Sequence, residues 1–162
     1  PGGGSGSDSG DKSPHRITRQ DEFVGAVGEH FVYRALKKLS GGRIASNAWR
    51  SGNRQHFIDD DKDGNDSLGF DFSFQLSGQR YEVEVKTTTS RSPSQVQLGP
   101  TEVRAAEKAA RKKRGAIWQL WIVSDALSSP TIHILGNPYV QSEDFYVDAL
   151  GALVRFQLSR AR

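Results

Sequence analysis

Gly69-Phe70-Asp71-Phe72-Ser73-Phe74-Gln75-Leu76-Ser77-Gly78-Gln79-Arg80-Tyr81-Glu82-Val83-Glu84-Val85-Lys86 alternates with period two on either side of a short turn. Residues two apart on a strand share a face. Ser77-Gly78-Gln79 is turn chemistry between the two alternating runs. The stretch therefore predicts an antiparallel hairpin. Its apolar face carries Phe70, Phe72, Phe74, Tyr81, Val83 and Val85, and its polar face carries Asp71, Glu82, Glu84 and Lys86 together.

Upstream, Phe23, Val24, Val27, Phe31, Ala35 and Leu39 recur at steps of three and four, with Val32 and Leu36 widening the stripe. This is the spacing of an amphipathic helix running from about Asp21 to Leu39, with Lys37-Lys38 in its last turn and Gly41-Gly42 as its stop. On that spacing Glu29 lies apart from the stripe, so an exposed side chain and a site residue are equally open readings. Arg43 to Arg50 reads as a short extended stretch. Downstream of the hairpin, Val96-Gln97-Leu98 is a short strand. Gly99-Pro100-Thr101-Glu102 opens a second helix, with Thr101 as its N-cap and Val103, Ala106, Ala109 and Ala110 on its inner side. Ala116 to Val123 is too apolar for an exposed strand and belongs in the middle of a sheet. Thr131 to Leu135 and Leu153 to Leu158 complete the strands. The order implies an α/β domain with a mixed central sheet and flanking helices.

The chain has 162 residues, enough for one domain with a substantial core. Residues 1–18 read as a flexible Gly/Ser-rich linker or tag, and 19–162 as the domain. The first residue is Pro and Met is absent, which suggests an excerpt of a longer protein. Without Cys there is no disulfide framework, thiolate zinc site or cysteine nucleophile, and a reducing, cytoplasmic location is expected. No apolar run approaches a membrane span. Trp49, Trp118 and Trp121 read as core residues. The four histidines show no ligand spacing.

Lys and Arg number 22 against 19 Asp and Glu, a net charge of +3 that conceals a segregation. Carboxylates crowd into Asp59-Asp60-Asp61-Lys62-Asp63-Gly64-Asn65-Asp66, whereas Arg104, Lys108, Arg111, Lys112, Lys113 and Arg114 share one helical segment. The acidic loop imitates the start of an EF-hand, but its twelfth position is Phe70 where a bidentate Glu is needed. The basic segment suits either a solvated helix end or a phosphate-binding surface.

The polar face of the hairpin is the chemical centre of the sequence. Cross-strand neighbours lie within about 5 Å and diagonal ones within about 8 Å, so Asp71, Glu84 and Lys86 can converge. Two carboxylates at such a separation suit Mg²⁺, which keeps water and substrate phosphate in its remaining positions. A nearby Lys can hold water, and the chemistry suggested is metal-assisted phosphodiester hydrolysis. An ordinary solvated strand surface with Glu–Lys pairs is the competing reading.

Gly69-Phe70-Asp71-Phe72, Tyr81-Glu82-Val83-Glu84-Val85-Lys86-Thr87-Thr88 and Leu98-Gly99-Pro100-Thr101-Glu102, in that order, resemble the PD-(D/E)XK (restriction-endonuclease-like) nuclease superfamily. More narrowly the chain is similar to the domain named after the C-terminal part of the plant protein NO VEIN. That likeness extends to Gly28-Glu29-His30-Phe31-Val32, Leu120-Trp121-Ile122-Val123 and Asn137-Pro138. The resemblance implies a restriction-endonuclease-like core in which Asp71 and Glu84 ligate metal with the backbone carbonyl of Val85. It also implies Lys86 as the catalytic Lys and Glu29 as an additional acidic residue of the site. Phe70 stands where the superfamily name has Pro, and Glu82 competes with Glu84, which is preferred for its one-pleat spacing from Lys86.

The implied function is a Mg²⁺- or Mn²⁺-dependent endonuclease acting on DNA, a module of a larger restriction or phage-defence protein. Arg104, Lys108, Arg111, Lys112, Lys113 and Arg114 would grip the nucleic-acid backbone, and Thr101 with Gln97 and Glu102 would position substrate. Expected partners are DNA and further domains or subunits, with a homodimer among the assemblies allowed and no membrane. The alternative is a non-catalytic module that binds nucleic acid or protein on the same fold.

Overall fold

Thr18 opens the first helix because its Oγ1 accepts the N–H of Asp21 while Asp21 Oδ2 accepts the N–H of Thr18, a reciprocal capping box. Helix α1 runs Arg19–Leu39. In the computed structural model, residues 18–60, 63–112, 115–140, 145–148 and 153–158 are described. The leader, the Asp61-Lys62 step and the basic pair Lys113-Arg114 lie outside them. The face that α1 buries is rotated from the one its apolar spacing suggests. Val24, Val32 and Leu36 are buried as expected, but Phe23 and Leu39 are exposed, and Gly28, Glu29 and Tyr33 face inward.

The cause is close packing against the sheet. A Cβ placed on Gly28 would lie 2.0 Å from Thr87 Oγ1, so only glycine lets the helix come this near. Three short 3₁₀ turns, Ser46–Ala48, Gly52–His56 and Asp66–Leu68, occupy the connection, the first of them within Arg43 to Arg50, where a short extended stretch was expected. Trp49 still makes an antiparallel bridge to Phe72.

The hairpin forms. Strand β1, Phe72–Leu76, pairs antiparallel with β2, Gln79–Thr87, in the register Phe72↔Val83 and Phe74↔Tyr81. Strand β3 is Gln95–Gln97, and helix α2, Pro100–Arg111, leads to β4, Ile117–Ser124, which lies parallel to β2. Strand β5, Thr131–Gly136, closes the main sheet in the order β1-β2-β4-β5. Strands β6, Phe145–Val147, and β7, Leu153–Phe156, join β3 in a second, antiparallel sheet ordered β3-β7-β6. The architecture is mixed α/β, with parallel and antiparallel pairing in the same sheet. Strand β6 had no counterpart in the alternation pattern.

Strand β4 is central, as its composition suggests. Trp121 and Val123 join the core under α1 with Trp49, Phe72, Val83 and Val85. Trp118, Leu120 and Ile122 join a second core with Leu98, Ala106, Val154 and Phe156. Both faces of the main sheet are therefore covered, and the polar face of β2 lies against α2. Phe70 departs from the expected pattern: it packs with the second core, opposite Phe72 and Phe74. The chain bends before β1 at Gly69, which has φ 76° and sits so close beneath α2 that a Cβ would be 2.4 Å from the Thr101 carbonyl. The Trp118 indole N–H anchors the same point by donating to the Gly69 carbonyl at 2.9 Å.

Candidate active site at the end of strand β1

Asp71 stands where the chain enters β1, and backbone groups fasten it on all sides. Its N–H donates to Val83 O at 2.8 Å and its carbonyl accepts the Arg50 N–H at 2.6 Å. Its side-chain Oδ2 accepts the Val85 N–H at 2.8 Å. Asp71 keeps partial access to solvent. Burial, followed by the charges of Glu84 and Glu29, nevertheless pushes its carboxyl well above the usual range, and the Val85 hydrogen bond and Lys86 offset this only in part.

The same geometry places a further oxygen. The N–H and C=O of one strand residue point to the same neighbour. Since Val85 directs its N–H at Asp71, its carbonyl also points to the β1 side, away from the β4 ladder. The backbone oxygen named from the resemblance therefore lies on the Asp71 edge.

Glu84 is buried, and its Oε1 lies 3.0 Å from Lys86 Nζ. Burial raises its pKa to about 8; the Lys86 charge opposes this and the Glu102 carboxylate reinforces it. Lys86 Nζ also lies 2.8 Å from Glu102 Oε2, so one ammonium joins β2 to the start of α2. Burial alone would lower the Lys86 pKa, but the two carboxylates outweigh it and hold the ammonium charged. Three donors serve an ammonium, and two are engaged here.

Glu82 is placed differently. It pairs with Arg80 at 3.0 Å and does not figure among the charges acting on Asp71. The two carboxylates that the sequence leaves in competition are thus separated by environment.

Glu29 is 5% exposed, so it is not a solvated surface residue. Its Oε2 accepts the Trp49 indole N–H at 2.7 Å and the Ser51 hydroxyl, and its Oε1 accepts Asn53 Nδ2 at 2.6 Å. Burial raises its pKa against these three hydrogen bonds. Glu29 on α1, and Glu84 and Lys86 on β2, act on Asp71 through their charges.

The donor set fits a hard divalent cation: a half-buried and a buried carboxylate that repel one another, with a backbone oxygen on the same edge. No cluster of three or more His, Cys, Asp or Glu groups suited to a metal ion occurs among the described residues. In the acidic loop, Asp60 pairs with Arg54 at 2.5 Å and Asp66 Oδ1 accepts the Gly52 N–H at 2.7 Å.

The basic segment divides. Arg104, Lys108 and Lys112 line a groove of about 900 Å³ between α2 and the hairpin, and Thr101 lies on its margin. Arg111 does not line the groove and pairs with Glu107 at 3.6 Å, one helical turn back. Gly99 is the N-cap of α2 and Thr101 sits inside the first turn, a correction to its expected place as N-cap; Glu102 Oε2 accepts the Gly99 N–H at 2.8 Å.

A family model described as Protein NO VEIN, C-terminal, matches residues 28–135. The chain belongs to this family. The NO VEIN C-terminal match begins at the glycine that packs on Thr87 and includes Glu29, Asp71, Glu84, Lys86, Glu102 and all of α2. No curated protein and no solved structure matches the chain. Within this NO VEIN C-terminal domain, sequence reasoning missed Trp49, Ser51 and Asn53 as the holders of Glu29. It placed Glu102 with substrate rather than with Lys86. The signal available for Glu102 was its N3 position after Gly99-Pro100, where a carboxylate caps a helix.

Proposed function

We propose that the chain is a PD-(D/E)XK-type, Mg²⁺- or Mn²⁺-dependent nuclease domain that hydrolyses DNA phosphodiester bonds, working as a module of a larger restriction or phage-defence protein. The observation that carries this reading is a half-buried Asp71 and a buried Glu84 at one edge of β2 with a charged Lys86 beside them. Folding gains nothing from bringing two carboxylates into mutual repulsion, so the arrangement is best understood as prepared for a cation.

Asp71, Glu84 and the Val85 carbonyl would hold the metal, which when bound lowers the pKa of water and neutralises phosphate charge. Lys86 keeps its ammonium fixed between Glu84 and Glu102 and offers its third N–H to the attacking water or a phosphate oxygen. The water oxygen bonds to phosphorus in line with the departing 3′ oxygen, the P–O3′ bond breaks, and the proton lost by water passes to solvent as the 3′ oxygen is protonated. Glu29, held by three donors, fixes its carboxyl on the α1 side.

One observation favours the rival reading of a non-catalytic module: Lys86 is already engaged by two carboxylates, as a purely structural ammonium would be. The double substitution Asp71→Ala, Lys86→Ala separates the two. Divalent-dependent nicking of supercoiled plasmid is expected in the parent protein and lost in the variant; equal nicking in both, or none in either, overturns the nuclease reading.

A further inference from the structure

The groove between α2 and the hairpin is continuous with the site along the chain. Phe70, Glu82 and Thr101 line it. They are the immediate neighbour of Asp71, the residue one pleat from Glu84, and the immediate neighbour of Glu102. Four cations, Arg80, Arg104, Lys108 and Lys112, face one carboxylate, Glu82, which Arg80 already neutralises. Among the described residues no carboxylate pairs with Arg104, Lys108 or Lys112.

Arg104, Lys108 and Lys112 follow one another at four-residue steps, about 6 Å apart along a helix axis, which is close to one backbone step of an extended nucleic-acid strand. Phe70 adds an aromatic surface, and a cationic groove beside an aromatic is how single strands are held without sequence preference. A volume of about 900 Å³ has room for roughly two or three nucleotides of one strand.

We propose that this groove binds the single-stranded extension of the nucleic acid whose scissile phosphate lies at Asp71, Glu84 and Lys86, so that the substrate class is an overhang, flap or splayed end. The position of the scissile phosphate rests on the nuclease reading above; strand binding in the groove does not. The test is fluorescence anisotropy of the full chain in EDTA with a labelled 12-nucleotide single strand and with the blunt duplex of the same sequence. The variants are Arg104→Ala/Lys108→Ala and a matched control at exposed positions of α1, Arg19→Ala/Arg34→Ala, with folding checked by thermal melting.

The expected result is tighter binding of the single strand than of the duplex. The groove variant should lose about tenfold or more of single-strand affinity, with the salt slope reduced by about two, while the control stays near the parent. Unchanged affinity in the groove variant, an equal loss in the control, or preference for the blunt duplex overturns the proposal. If the groove variant loses affinity while the parent shows no divalent-dependent nicking, the groove assignment stands and the catalytic reading falls.

Discussion

The backbone N–H of Val85 donates to Oδ2 of Asp71 at 2.8 Å, so the strand that carries Glu84 and Lys86 also holds the carboxylate facing them. The hydrogen bond favours the charged form of Asp71 against burial and two neighbouring carboxylates. An amide oxygen would accept the same N–H without the charge.

Asp71→Asn is therefore expected to keep the fold and raise the melting temperature in metal-free buffer, because it removes repulsion from Glu84 and Glu29. The same substitution should abolish divalent-dependent nicking and the stabilisation that Mn²⁺ confers. Melts with and without Mn²⁺, run beside the plasmid assay, check both halves; a variant that still nicks at the parent rate removes Asp71 from the site.

The pH dependence follows from Glu84. Its carboxyl is raised to about 8 from an ordinary value of 4.5, so between these limits the folded chain binds a proton that the unfolded chain does not. Stability of the metal-free protein from this group is accordingly greatest below about pH 4.5 and is lost as pH rises towards 8. A cation competes with that proton, and metal affinity should rise with pH by up to about tenfold per unit below the pKa. Titration with Mn²⁺ at pH 6, 7 and 8, followed by calorimetry, should show this trend; a flat profile would exclude Glu84 as a ligand.

Gly28→Ala should lower stability by about 1–3 kcal/mol, because the new methyl group overlaps the Thr87 side chain, whose nearest atom would be 2.0 Å away. Adding Thr87→Ala removes the two closest atoms and should recover part of the loss. A double-mutant cycle by urea denaturation reads the coupling, and strictly additive effects would show that the helix simply moves aside.

Trp49→Phe should cost about 1–3 kcal/mol, since it removes the 2.7 Å donor to a buried carboxylate while preserving most of the aromatic packing. Glu29, with one fewer donor, should titrate still higher. Circular dichroism melts at pH 5 and pH 8 are expected to show a larger loss at the higher pH, where the carboxylate must be charged; an equal loss at both would assign Trp49 a packing role alone.

The hairpin, the central place of β4 and the convergence of Glu84 with Lys86 were legible because strand alternation ties side-chain direction to local spacing. Glu29 was not. Its holders Trp49, Ser51 and Asn53 are 20 to 24 residues away along the chain, and the face α1 buries is set by the Gly28–Thr87 approach rather than by the helix's own apolar stripe. Phe70 looked like the first residue of an alternating strand, but the turn at Gly69 and the anchor from Trp118, 49 residues on, send it to the opposite core. Arg111 was grouped with its neighbours in sequence, and it pairs with Glu107 instead of lining the groove.

Glu102 Oε2 receives both the first N–H of the α2 cap and the ammonium of Lys86. The two cannot be tuned separately. Any replacement that shortens this side chain frays the start of the helix and slackens the lysine in the same event, so tolerance to change at position 102 is set jointly by folding and by chemistry. The helix bearing the groove and the lysine of the site are in this sense one mechanical part, joined at a single oxygen atom.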